Sequence, residues 1–112
     1  MREVKTMNKY QRQMRMQQTA VGVLRRDPSL LNDPRLLDRL DTISEHTFGE
    51  PYRQCIERWR SLLQRGDLDT LSHMVLEDSE YGGYLRTVSP LGMLLTGEQR
   101  RAVVYGNALV AA

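Results

Sequence analysis

The residues with the type or spacing that chemistry needs are few in this chain: two histidines, one cysteine, and a group of basic, amide, methionine and tyrosine side chains near the N-terminus. His46 and His73 stand at no ligand spacing from each other or from Cys55, so no metal signature forms and both read as structural histidines. Cys55 lies one turn before Trp59 on an apolar stripe. A reactive thiolate needs an electropositive, partly exposed setting, so Cys55 reads as an inert core thiol. The serines form no G-x-S-x-G elbow, and Gly82, Gly83, Gly92 and Gly97 make neither a G-x-G-x-x-G nor a phosphate loop. Most carboxylates stand at helix starts, where capping accounts for them. The expectation is a protein that is not an enzyme, with no metal and no cofactor.

Binding is the better reading of what remains. Net charge is +2, but residues 1–26 carry Arg2, Lys5, Lys9, Arg12, Arg15, Arg25 and Arg26 against Glu3 alone, and the rest of the chain is acidic on balance. Aromatics and methionine are enriched at interface centres, so Met7, Tyr10, Met14, Tyr81 and Tyr84 are the expected partner-binding anchors, with Arg12 and Arg15 steering a protein partner. The alternative is a nucleic-acid-binding regulator that uses Lys5, Lys9, Arg12 and Arg15. A third option is a homodimer or other small homo-oligomeric structural subunit, in which the basic face packs against acidic surface of the same chain or of a mate.

The elements that must position these residues are helical. Glu50 to Gly66 has the cleanest periodicity: Tyr52, Cys55, Ile56, Trp59, Leu62 and Leu63 recur at spacings that line one helix face, and arginines, Glu57 and Gln64 occupy the other. Pro51 suits the first helical position and Gly66 the left-handed residue that closes a helix. Before it, Met7, Tyr10, Met14, Gln17, Val21 and Leu24 form a heptad-like first helix with Gly22 in its last turn. Asp27-Pro28 starts a single turn through Leu30 and Leu31, and Asp33-Pro34 starts a helix with Leu36, Leu37, Leu40, Ile43 and Thr47 inward. Phe48-Gly49 ends that helix, which leaves two or three residues before the Trp59 helix.

After Gly66, Asp67 caps a short helix holding Leu68, Leu71, Met74 and Val75. Asp78 or Ser79 caps another, weakened by Gly82-Gly83 inside it. Ser89-Pro90 opens one more turn, and Thr96 with Gln99 supplies a capping box for a final helix. The end, Ala102 to Ala112, is apolar enough to require packing, as a helix or as a hairpin about Gly106-Asn107. The Trp59 helix, its glycine turn and the following helix have a helix-turn-helix outline. Asp67 and Asp69 would then stand where a recognition helix meets phosphate, and carboxylates there repel a duplex.

With 112 residues, 40% of them apolar and 27% charged, the composition fits one soluble domain. Residues 1–6 read as a flexible N-terminal arm before a single helical domain over residues 7–112. No apolar run nears the roughly 20 residues a membrane span requires, and the N-terminus lacks a signal-peptide core. One unpaired cysteine fits a reducing cytoplasm.

From the Trp59 helix onward the chain resembles a loose group of small bacterial helical proteins. The features are Arg58-Trp59-Arg60-Ser61-Leu62-Leu63, Asp67-Leu68-Asp69-Thr70-Leu71, Asp78-Ser79-Glu80, Leu85-Arg86, Ser89-Pro90-Leu91 and Leu95-Thr96-Gly97-Glu98-Gln99-Arg100. Such proteins look like the neutralising partners of toxin–antitoxin operons, and the resemblance covers about residues 55–104. It implies binding to a protein, such as a cognate toxin, and brings no catalytic residue. The expectation is an all-α, compact single-domain bundle of about five or six helices that occludes a partner.

Overall fold

The computed structural model describes residues 8–104, which form an all-α bundle with no strand among the described residues. Six α-helices follow in chain order: α1 Lys9–Arg26, α2 Pro34–Glu45, α3 Tyr52–Arg65, α4 Leu68–Val75, α5 Glu80–Thr87 and α6 Gly97–Val104. Two 3₁₀ turns, Pro28–Asn32 and Leu91–Leu94, fall where the first Asp-Pro and the Ser-Pro predict single turns.

Local sequence explains most of the starts. Asn8 and Gln11 make a reciprocal capping box on α1, with bonds of 2.8 and 3.0 Å. Asp33 caps α2, Asp67 caps α4 and Ser79 caps α5 by accepting from the Arg35, Thr70 and Gly82 amides. Thr96 and Gln99 exchange bonds of 2.8 and 3.0 Å ahead of α6. Gly66 closes α3 at φ 66°, a backbone region that favours glycine.

Four expectations are corrected in detail. The α2–α3 connection spans residues 46–51, because α2 ends at Glu45 and α3 begins only at Tyr52. Pro51 precedes α3 as its cap residue, after a cis Glu50-Pro51 bond, and is not inside its first turn. Asp27 does not cap the first 3₁₀ turn through its side chain, which accepts from the Ser29 hydroxyl at 2.6 Å instead. Gly82-Gly83 leaves α5 unbroken, and Gly82 packs against the Glu77 carbonyl where a Cβ would not fit. The expected N-terminal arm (1–6), Met7 and the helix-or-hairpin end about Gly106-Asn107 lie outside the described residues.

The core joins Ala20, Val21 and Leu24 of α1 to Leu36 and Leu40 of α2, the Cys55–Leu63 face of α3, and Leu71, Val75, Leu85, Val88 and Leu91 beyond. Burial of these side chains is the main favourable term in folding. Two helices organise it. α3 packs on α2, α4 and α5, with Trp59 fully buried and its indole N–H donating to the Leu85 carbonyl at 2.9 Å. α1 lies against α4, α5, α6 and both 3₁₀ turns. Gln17, the polar member of its heptad series, is buried and accepts from the Ser89 hydroxyl at 2.8 Å, tying α1 to the chain before the second turn.

Candidate functional site

The N-terminal part of α1 and the start of α5 meet at Tyr10. Its hydroxyl donates to the Asp78 carboxylate, and this bond pushes the phenol above its usual range. The Arg86 guanidinium lies over its ring, 5.2 Å from the centroid. Tyr10 nonetheless remains 42% exposed, and Tyr81, in the first turn of α5, remains 37% exposed. Large aromatic side chains this open, held by a rigid helix pair, can bury area on a partner at small entropic cost.

The other predicted anchors and basic residues spread around this junction. Met14 is half-buried. Tyr84 is half-buried too and faces away from Tyr10, edge-on to Tyr52 at 5.6 Å between centroids, with its hydroxyl donating to Glu80 at 3.1 Å. Lys9 is exposed, and Arg12 and Arg15 are half-buried. At 3.6 residues per turn, Tyr10 and Met14 are about 40° apart on α1, whereas Arg12 and Arg15 are about 100° to 160° around from them. The fold therefore sets Tyr10 and Tyr81 on two helices that pack against each other, and does not put Arg12 and Arg15 on the face of Tyr10 and Met14. Met7 and Lys5 lie outside the described residues.

Part of the basic charge is used inside the fold, since Arg25 of α1 pairs with Asp69 of α4 at 3.5 Å. Both side chains are well exposed, so the pair adds little stability. It does place both acids of the rejected recognition helix: Asp67 at the α4 cap and Asp69 against α1. Cys55 is fully buried and burial pushes its thiol up, which keeps it protonated. His46 and His73 are exposed, the former with Nδ1 3.0 Å from the Thr42 carbonyl. No group of three or more His, Cys, Asp or Glu among the described residues could hold a metal ion. No described helix is long and apolar enough to cross a membrane.

Two residues with functional potential escape a sequence reading. Arg86, a charged residue of a short helix, is only 3% exposed. Its Nη1 donates to the Val75 and Glu77 carbonyls at 3.0 and 2.8 Å, closing the C-terminal end of α4. Phe48, read as a helix terminator, is 82% exposed in the α2–α3 connection. The adjoining Phe48-Gly49 pair signals a loop, and nothing in the sequence signals that the ring stays outside.

The described residues define an all-α helical bundle. No family model, curated protein or solved structure matches the chain.

Proposed function

We propose that this chain is a protein-binding module, an antitoxin-like neutraliser that occludes an acidic-surfaced partner, a cognate toxin. The observation that carries the reading is two exposed tyrosines, Tyr10 on α1 and Tyr81 on α5, on helices that pack together, with α1 holding Lys9, Arg12, Arg15, Arg25 and Arg26 and no acid. Aromatic anchors supply contact area, and the unbalanced cationic helix raises the rate at which an acidic surface is met. The similarity of residues 55–104 to small bacterial antitoxins supports the same class. In this mechanism the protein performs no chemistry: the helical face covers the partner's working surface.

The test is purification of the tagged full chain from its native host, followed by association kinetics with the protein that co-purifies. Tyr10→Ala with Tyr81→Ala is expected to raise the dissociation rate about tenfold or more, since each anchor removes of order 1–2 kcal/mol. Dissociation unchanged in that variant refutes the anchor assignment. A stable homodimer in light scattering with no foreign partner refutes the neutraliser reading. Nucleic-acid binding by Lys9, Arg12 and Arg15 would instead appear as a gel shift whose log affinity falls steeply, by about 0.7–0.9 per phosphate contact per decade of salt.

A further inference from the structure

We propose that Tyr10 is a latch between the first turn of α1 and the α4–α5 turn, and that its release loosens the segment that carries Tyr81. Three observations meet at this one side chain. Its hydroxyl donates to the carboxylate of Asp78, 68 residues further along the chain in the α4–α5 turn. Its ring receives the Arg86 guanidinium, 5.2 Å from the centroid. It still stands 42% open to solvent, in the first turn of a helix, where local opening costs least.

Arg86 carries the effect of the latch into the fold. Its Nη1 donates to the Val75 and Glu77 carbonyls at 3.0 and 2.8 Å, so one guanidinium holds both the end of α4 and the turn after it. The same turn sets the start of α5, where the Ser79 hydroxyl accepts from the Gly82 amide and the Ser79 carbonyl accepts from the Gly83 amide. Arg86 is only 3% exposed, with the Tyr10 ring against it from α1. Hydrogen bonds shielded from water are the stronger for it, so removing this cover weakens the hold of Arg86 on both carbonyls. Tyr81 stands in the first turn of α5 and follows that change.

The latch is also poised to open. Arg86 Nε and Nη2 are buried without a hydrogen-bond partner among the described residues. Unpaired buried donors destabilise the closed state, and hydration on opening removes that penalty. Closing gains the Tyr10–Asp78 bond and the cation–π contact, whereas opening gains water on two guanidinium nitrogens. Opposing terms of this kind make a two-state contact that an outside group binding Tyr10 biases. A partner that takes the Tyr10 ring thereby alters how Tyr81 is presented, and by linkage a partner on Tyr81 alters the release of Tyr10. That use rests on the anchor reading above, whereas the latch is a property of the free chain and is tested on it alone.

The experiment measures hydrogen exchange by NMR on the full chain, with Tyr10→Phe, Asp78→Ala, the two combined, and Tyr10→Ala. The Ser79, Gly82 and Gly83 amides are expected to exchange about three- to tenfold faster in either of the first two variants, the span that loss of one hydrogen bond sets. Their combination should be no faster than either alone, because both changes break the same bond. Tyr10→Ala also removes the cover, so it should speed the turn further and bring the Arg86 Nε–H into rapid exchange with water. The amides of Trp59 and Leu62 inside α3 report global opening and should keep their wild-type rates. Unchanged exchange at the turn in Tyr10→Ala, acceleration shared equally by α3, or additive effects of Tyr10→Phe and Asp78→Ala would each overturn the latch. Dissociation of a foreign partner, measured separately, bears on the anchors and not on these rates.

Discussion

Trp59 concentrates on one side chain what holds this bundle together. Its ring is fully buried, and its N–H meets the Leu85 carbonyl, one of the last carbonyls of α5 and so one without a helical partner of its own. Trp59→Ala should cost about 3–5 kcal/mol through lost burial and the cavity left behind, read as a lower denaturation midpoint. Trp59→Phe keeps most of the ring but orphans the carbonyl and should cost about 1–3 kcal/mol. At the surface, the Thr70 hydroxyl and amide hold the Asp67 carboxyl below the usual carboxylate range, and the Arg35 guanidinium does the same for Asp33. A carboxyl whose folded pKa is depressed contributes stability that is present above its unfolded value, about 4, and is lost as pH falls through the folded one. Melting temperature should therefore drop on acidification below about pH 4, and less steeply in Asp67→Asn, which keeps a capping oxygen without the titration. Parallel curves would remove Asp67 from the acid response.

At the scale of elements, α5 shows how a helix accommodates two adjacent glycines. Gly82 is buried, and a Cβ there would fall well inside contact distance of the Glu77 carbonyl oxygen and 3.1 Å from Arg86 Nη1. The turn between α4 and α5 can pass this close only because the side chain is absent. At Gly83 the nearest atom to an added Cβ is Arg86 Nη2 at 3.8 Å, an ordinary contact. The two neighbours should respond in opposite directions. Gly82→Ala forces backbone to move and should destabilise by about 1–3 kcal/mol, whereas Gly83→Ala should stabilise by about 0.5–1 kcal/mol through helix propensity and a stiffer unfolded chain. Equal denaturation midpoints for the two variants would refute the close approach at Glu77. The same element explains why a pair of glycines that looks like a helix breaker marks a packing contact instead.

Over the whole molecule, charge is arranged by sign along the chain, with α1 cationic and the remainder acidic on balance. Attraction of this kind acts over roughly a Debye length, about 8 Å at physiological salt, so in the proposed complex Arg12 and Arg15 steer a partner without sharing the face of Tyr10. Arg12→Glu with Arg15→Glu should slow association several-fold at low salt, lose that effect at high salt, and leave the dissociation rate of the complex nearly unchanged. An association rate indifferent to the reversal would remove the steering role and leave the aromatic junction to account for binding alone.

The residues themselves determined the helical class, because the apolar face from Cys55 to Leu63 repeats at the helical period and every α-helix from α4 to α6 begins at a local capping residue: Asp67, Ser79 or Thr96. N-terminal caps act over three residues, so sequence carries them. The C-terminal ends are different. The carbonyls that close α4 and α5 are satisfied by Arg86 from 11 residues away and by Trp59 from 26, partners that no local pattern specifies. Which arginine is buried and which tyrosine stays open depend on how α1 crosses α5. Only the tertiary structure decided those, because side chains distant in sequence become neighbours through packing geometry and not through spacing.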